Sequence, residues 1–169
     1  GSSWKQVYNG NSTLGKANEV FDINTKVKAF KIYGYGNSEN NWFSLIEFAV
    51  YKPGVKAGDA ISTTITDSTS PATDTVAKAT GTKVNVNVNS VTFSQQPENN
   101  NPGRNAFDGN AGTVWASNGP ADAVIDLGKK IPVSEVGVQF MLYSDDRTIP
   151  YSVEISDNKT AWTSVFAGS

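Results

Sequence analysis

Hydrophobic positions along the chain mostly alternate with polar ones or form short runs, and Gly, Asn, Asp and Pro separate these segments. Alternation with a period of two is typical of β-strands, and these four residue types favour the turns between strands. No segment shows the apolar spacing of an amphipathic helix. The predicted strands are residues 19–23, 28–35, 44–51, 84–93, 123–127, 135–143, 151–156 and 163–166, with turns at 34–41, 128–130 and 157–159. This spacing predicts an all-β, antiparallel sandwich.

The composition changes between residues 52 and 83. Pro53-Gly54 begins a stretch rich in Thr, Ser, Ala, Gly and Asp, and residues 61–80 contain few side chains able to anchor a core. Such a composition is typical of a linker. The segment before it is short enough to be marginal as an independent domain, because small domains without disulfides or metal bury too little apolar surface.

The composition of the 169-residue chain excludes several mechanisms. It contains no cysteine and no histidine, so it can have no disulfide, cysteine nucleophile, Cys/His zinc site or histidine base. The formal net charge is -2, and the only arginines are Arg104 and Arg147. Binding to a phosphate backbone needs clustered basic residues, so nucleic acid is not an expected partner. No run approaches the roughly 20 apolar residues of a membrane span, and a membrane partner is not expected.

The two extremities of the chain carry the same pattern. Residues 4–10 read WKQVYNG and residues 162–168 read WTSVFAG, so each has Trp, two residues, Val, an aromatic residue, one residue and Gly. One strand pattern used twice in a β-rich chain explains this match by itself. If the ends are overlaid, however, residues 84–169 followed by residues 11–52 form one continuous module.

Four stretches become recognisable in that order. They are NPGRNAFDGNAGTVWAS, ADAVIDLGKKIPVSEVGVQF, YSVEISDNKTAWTSVF and, from the N-terminal side, VKAFKIYGYGNSENNWFSLIEFAVYK. Together they resemble the discoidin-like, factor V/VIII type C family, and within it the carbohydrate-binding modules of family 32 that accompany bacterial polysaccharide lyases and glycosidases. The resemblance extends over the chain apart from the linker.

The resemblance implies a permuted order, in which the closing strands precede the opening strands. Residues 1–51 would be the C-terminal half of a module, residues 52–83 the linker, and residues 84–169 the N-terminal half, the two halves forming one sandwich. Since the natural termini of such domains lie close together, the linker can join them within one chain. The alternative is exchange of halves between chains. We therefore expect a monomer or a strand-exchanged homodimer.

The turn DGNAGT at residues 108–113 places oxygen donors on a loop bent by glycines, which suits a hard cation such as Ca²⁺. An Asx-type turn, in which Asp108 only caps local amides, explains the same residues. The resemblance implies a structural calcium ion in this loop. The ligands carried over from the family are Asn105, Asp108, Asn110, Thr113 and Glu47. Such an ion would join the two halves and stabilise the folded state by linkage.

Aromatic and polar side chains share two predicted loops, GNSENNW at residues 36–42 and YSDDRT at residues 143–148. Sugar binding uses this mixture, because an aromatic face covers the pyranose while amides and guanidinium groups bind hydroxyls or carboxylates. The alternatives are that Trp42 packs into the sandwich beside an asparagine turn, and that Arg147 forms only a surface ion pair with Asp145 or Asp146.

The resemblance implies a glycan site on loops at one end of the sandwich, which these two loops match. The predicted ligand-binding residues are Trp42, Asn37, Asn41, Tyr143 and Arg147, with Arg147 binding a carboxylate. Trp115 and Trp162 lie in strand patterns and are predicted to belong to the core.

Catalysis by the chain itself is not expected. Asp145 and Asp146 are adjacent, and adjacent residues of a strand point to opposite faces, so they would not converge on one glycosidic bond. The resemblance implies a non-catalytic module that targets an attached lyase or glycoside hydrolase to a polysaccharide, for example an acidic one such as alginate. It would act outside a bacterial cell, secreted or attached to the surface. The alternative is a discoidin-like adhesion module for a protein or membrane surface, although the Asn- and Asp-rich loops favour a polar ligand.

Overall fold

The computed structural model describes residues 6–12, 18–54, 80–95, 100–141 and 147–164. Over these residues the chain forms one hydrogen-bonded network of nine strands. They are β1 (Gln6–Asn11), β2 (Asn18–Gly34), β3 (Trp42–Lys52), β4 (Thr82–Lys83), β5 (Val91–Phe93), β6 (Trp115–Asn118), β7 (Ala121–Phe140), β8 (Pro150–Ser156) and β9 (Thr163–Ser164). The helical segments within these described ranges are two 3₁₀ turns, Val88–Ser90 and Gly103–Phe107. The predicted all-β, antiparallel class is confirmed.

Two long strands, β2 and β7, take part in both layers of the sandwich. They pair with each other along two stretches, residues 18–27 with 131–139 and residues 29–34 with 121–126, and the register shifts between the two. Such irregularities bend a sheet. The stretch at 29–34 and 121–126 lies in a layer with β8, β1, β9 and β5, whereas the other stretch lies in a layer with β3, β4 and β6.

The turn predicted at residues 128–130 proves to be a bend inside a continuous strand. Gly128 has a φ of 75°, and its amide donates to Asp126 Oδ1 at 2.8 Å, which is the local chemistry of a turn. The chain nevertheless keeps pairing with β2 on both sides of this point. The separation of residues 123–127 from 135–143, and of 19–23 from 28–35, is therefore wrong.

The strand predicted over residues 84–93 is also too long, because only Val91–Phe93 is a strand. Asn87 Oδ1 accepts a hydrogen bond from the amide of Asn89 at 3.0 Å, at the start of the Val88–Ser90 turn. Short polar side chains that bond to the backbone ahead of them favour turns over sheet ladders. Conversely, β1, β4 and β6 are strands that lie outside every predicted strand.

Aromatic side chains join the two layers in the core. Phe30 of one layer packs edge-on against Phe48 of the other, with ring centres 5.9 Å apart. Trp115 is completely buried and meets the Phe43 ring at 5.3 Å, which confirms its predicted place in the core. The same prediction for Trp162 is wrong, because this side chain is only half-buried and the Lys31 ammonium lies 5.2 Å from its ring centre.

The strands on either side of the predicted linker interleave. In the described part of the chain, β1 pairs with β8, β2 with β7 and β8, and β3 with β4, β6 and β7. Each strand of the N-terminal segment thus finds its ladder partners among strands that follow residue 80. Such an arrangement forms a sandwich only when both segments are present together.

The residues that flank positions 55–79 lie side by side. Lys52 pairs with Thr82, and a Cβ built on Gly54 would be 3.2 Å from the Thr80 carbonyl oxygen. The buried Glu135 carboxylate of β7 accepts bonds from the Thr80 amide at 2.8 Å and the Gly81 amide at 3.0 Å. The two ends of the predicted linker therefore lie next to each other, and the bonds to Glu135 hold the second end in place. Residues 55–79 lie outside the described part of the chain.

The repeated ends of the chain meet on the same edge of β8. Gln6 of β1 and Ser164 of β9 each have Glu154 as their register partner, and each stands two residues after the tryptophan of its repeat. The two repeats are therefore equivalent in register as well as in sequence. The remainder of the second repeat, residues 165–168, lies outside the described residues.

Candidate functional site

The loop between β2 and β3 is shaped by the side chain of Asn37. Its Nδ2 donates to Asn40 Oδ1 at 2.7 Å and to the Trp42 carbonyl at 2.6 Å. Its Oδ1 accepts from the amides of Glu39 at 2.9 Å and Asn40 at 3.0 Å. Asparagine favours turns because it bonds to nearby backbone in this way. The Asn37 side chain is thus engaged within the loop, and it holds Trp42 at the start of β3.

The same loop docks on the segment that precedes β8. The Ser38 amide donates to the Thr148 carbonyl at 2.8 Å, and the Thr148 amide donates back to Ser38 Oγ at 3.1 Å. Beside this contact the Arg147 guanidinium pairs with the Glu39 carboxylate, with Nε at 3.1 Å from Oε2. Two segments that are distant in sequence are therefore locked together, and Arg147 is held by a carboxylate of the opposite loop.

A cavity of about 330 Å³ lies next to this contact. Its lining consists of Asn40, Trp42, Ser44, Asn101, Val114, Ala116 and Arg147. Trp42 is half-buried, and the Arg147 side chain is 14% exposed. Trp42, Arg147 and two asparagines consequently line one space. An indole, a guanidinium and amides are the groups that recognise a sugar ring and its substituents.

Only some of the predicted ligand-binding residues are seen to line the cavity. Trp42 and Arg147 both line the cavity. Asn37 organises the loop, and Asn41 is exposed, with its carbonyl accepting from the Gly119 amide at 2.9 Å. Tyr143 lies outside the described residues, as do both aspartates that follow it.

Asn101 and Ser44 line the cavity but were not predicted. Asn101 is the last residue of the asparagine run 99–101 and the first residue of the NPGRN motif, and its carbonyl accepts from the Ala116 amide at 3.2 Å. This asparagine run is the feature of the sequence that could have indicated a further polar residue at the cavity. Which of its members reaches the cavity depends on how this segment meets β6.

The loop at residues 108–113 is closed by bonds among its own residues. Asp108 Oδ1 accepts from the Asn110 amide at 2.8 Å, and Asp108 Oδ2 accepts from Thr113 Oγ1 at 2.9 Å. Gly109 has a φ of 75°, a conformation that favours glycine. Asn105, at the base of the loop, donates from Nδ2 to the Val114 carbonyl at 2.9 Å. The Asx-type turn considered from the sequence is thus present.

Glu47 of β3 reaches this loop from the other segment of the chain. Its Oε2 accepts from the Gly109 amide at 3.0 Å, and its Oε1 lies 3.1 Å from Lys83 Nζ. Burial raises the pKa of the Glu47 carboxyl, and nearby Asp108 adds to the rise, whereas Lys83 and the Gly109 amide act in the opposite direction. The predicted metal ligands on the loop and on β3 are therefore neighbours.

The donor set fits a calcium ion in its chemistry. The carboxylates of Glu47 and Asp108 stand with the amide and hydroxyl oxygens of Asn110 and Thr113, and hard oxygen ligands are those that Ca²⁺ prefers. The described residues contain no group of three or more acidic, histidine or cysteine side chains that could hold a metal. A calcium ion at this loop would thus depend on neutral oxygens for much of its coordination.

The Asp108 loop and the segment before β8 both lie in the part of the chain that matches a known family model. Residues 87–169 match the family model of the F5/8 type C domain. F5/8 type C domains bind carbohydrates or phospholipids and are generally non-catalytic modules, and the fold of this chain agrees with their discoidin-like β-sandwich. No curated protein and no solved structure matches the chain. The F5/8 type C match includes Asp108 and Arg147, whereas Glu47 and Trp42 precede it.

Proposed function

We propose that this chain is a non-catalytic carbohydrate-binding module, of the family 32 kind, that holds an attached polysaccharide lyase or glycoside hydrolase on its substrate. The observation that carries the proposal is the cavity in which Trp42, Arg147 and two asparagines converge. Its natural place of action would be outside a bacterial cell, where such polysaccharides occur.

The cavity supplies each interaction that a sugar needs. The Trp42 indole offers an apolar face to the C–H surface of a pyranose, while the Asn40 and Asn101 amides can bind hydroxyl groups. Arg147 can bind a carboxylate through two parallel N–H bonds. Because Arg147 already pairs with Glu39, a sugar carboxylate would replace that carboxylate on the guanidinium. An acidic polysaccharide such as alginate is therefore the favoured class.

A lipid surface is the less favoured ligand. Modules that insert into membranes present large apolar side chains on exposed loops. Among the described residues the exposed large hydrophobic side chain is Tyr35, at 49% exposure. Separately, the described residues include no helix with the length and hydropathy of a membrane span. Sedimentation with anionic liposomes tests the membrane alternative directly.

Substitution of the cavity residues is expected to weaken polysaccharide binding. Trp42→Ala removes the stacking face and Arg147→Ala removes the carboxylate donor, so each should reduce affinity about tenfold, which corresponds to about 1.4 kcal/mol. Affinity electrophoresis on gels containing acidic or neutral polysaccharides measures the change. Arg147→Lys keeps the charge and loses the two-point geometry, so it should bind acidic polymers almost as poorly.

Arg104→Ala is the matched control, since Arg104 is the other arginine of the chain, is exposed and does not line the cavity. It should leave binding unchanged. If Trp42→Ala and Arg147→Ala both migrate like the unaltered protein on every polysaccharide, the site is wrongly assigned.

We also propose that the module is built in permuted order, with residues 1–51 supplying the closing strands, residues 52–83 the linker and residues 84–169 the opening strands. Support comes from the interleaved ladders, from the adjacent ends of segment 55–79 and from a family match that begins only at residue 87. Closure within one chain gives a monomer, whereas exchange gives a homodimer. Light scattering during size-exclusion chromatography distinguishes the two.

We propose in addition that the 105–113 loop and Glu47 hold a structural calcium ion. An ion that binds only the folded state stabilises it by about 2.7 kcal/mol at a hundredfold excess over its Kd. Excess EDTA is therefore expected to lower the melting temperature, and restoring calcium should reverse the change. Glu47→Gln should reduce this difference, because it removes one of the two carboxylates. An identical melting curve with EDTA and with calcium would rule out the ion.

A further inference from the structure

A cation of the chain itself lies at the proposed calcium loop. Lys83 Nζ is 3.1 Å from Glu47 Oε1, and a Cβ built on Gly109 would lie 3.7 Å from the same nitrogen. Lys83, Glu47, Asp108 and Gly109 line a single cavity. The ammonium group therefore stands beside the carboxylate that reaches the loop from β3.

Backbone pairing fixes the position of Lys83 beside β3. Lys83 belongs to β4, whose register partner is Tyr51 of β3, and the Val84 amide donates to the Val50 carbonyl at 2.7 Å. The Lys83 side chain therefore starts from a pinned strand immediately beside the strand that carries Glu47. Its position follows from the ladder and not from a chance surface encounter.

The two side chains of this ion pair, Lys83 and Glu47, differ in their exposure to solvent. The Lys83 side chain is 48% exposed, whereas the Glu47 side chain is 12% exposed. A long, exposed ammonium group can return to water at small cost, because its stem is flexible and its charge becomes fully hydrated. The enclosed Glu47 carboxylate has no such option, since an unpaired buried charge is destabilising.

We infer that Lys83 is a built-in counter-cation that competes with calcium for Glu47. When the ion binds, the ammonium leaves the carboxylate for solvent, and when the ion is absent the ammonium returns and keeps Glu47 paired. This inference rests on the proposed calcium site. It makes Lys83 the residue that sets both how tightly the loop binds calcium and how well the fold tolerates its loss.

The test compares Lys83→Gln with the unaltered chain by calorimetric titration with calcium and by thermal melting with and without EDTA. Removing the competing charge should tighten calcium binding about tenfold, the order expected when a neighbouring charge no longer opposes the ion. Chelation should then lower the melting temperature of Lys83→Gln by more than that of the unaltered chain, because Glu47 has lost its substitute partner.

Lys130→Gln is the matched control. Lys130 forms an ion pair with Asp157 at 2.5 Å, and its side chain is 50% exposed, close to the exposure of Lys83. It should change neither calcium affinity nor the effect of EDTA. If Lys83→Gln and the unaltered chain bind calcium equally and respond equally to EDTA, competition by Lys83 is overturned while the calcium site stands. If neither binds calcium, the site and the competition are both overturned.

Discussion

A chain cut once within residues 61–75, at an introduced protease site, is expected to stay folded as two associated pieces. The reason is that β1, β2 and β3 have their ladder partners among the strands after residue 80, so the interleaved sheet holds the pieces together without the peptide link. The flanks of segment 55–79 already lie together, as the pairing of Lys52 with Thr82 shows. Cutting therefore removes no described contact.

The same geometry predicts a severe loss when either piece is made alone. Residues 1–54 contain strands whose described ladders all run to the other piece, and residues 80–169 lose β2 from between β7 and β8. Each piece should lack the cooperative melting transition of the whole, as monitored by circular dichroism. Mixing them should restore the transition. Without the linker and the effective concentration that it provides, association of the pieces depends on how concentrated they are, so the melting temperature should rise with concentration. Elution of the cut chain as two separate, unfolded pieces would contradict the interleaved sandwich.

Gly34→Ala is expected to be among the most destabilising single substitutions in the core. A Cβ at this position would lie 2.0 Å from the Phe43 ring, which is completely buried and packed edge-on against Trp115 at 5.3 Å. Because the ring cannot retreat into solvent, the free energy of unfolding should fall by about 1–3 kcal/mol or more, the usual cost of overpacking. Urea denaturation followed by tryptophan fluorescence measures this loss.

Two further variants make the result specific. Gly137→Ala is the matched control, since Gly137 also lies in a strand and its Cβ would meet Tyr51 only at 3.4 Å, an ordinary contact distance. It should leave stability nearly unchanged. Combining Gly34→Ala with Phe43→Leu should cost less than the sum of the two, because the smaller side chain makes room. Additive losses would show that Phe43 is not the obstacle.

The sequence predicted local structure correctly where the hydrogen bonds join residues of one short segment. The bonds within the Asp108 loop and the turn that follows β8, where Asn158 Oδ1 accepts from the Thr160 amide at 3.0 Å, involve neighbours in the chain. Alternation of apolar and polar residues likewise indicated an all-β fold. These features depend on spacing alone, so they are visible without knowledge of the partner strands.

Strand limits were harder to predict, because turn residues do not reveal what lies opposite them. Gly128 and its bond to Asp126 look like a reversal in the sequence, yet they become a bend because β2 continues alongside. In the same way Trp162 has the pattern of a core residue but ends half-buried beneath Lys31. Both outcomes depend on neighbours that are far away in the chain.

The composition and motif order of this sequence by themselves indicated an all-β module without histidine or cysteine chemistry, a glycine-bent oxygen loop and an aromatic-amide loop. Only the tertiary structure decided that Glu39 pairs with Arg147, that Asn101 joins Trp42 at the cavity and that Lys83 stands on Glu47. The physical reason is the range of the interactions. Turn bonds and periodicity act between near neighbours, whereas ion pairs and cavity linings arise when β-strand register brings distant residues within a few ångströms of one another.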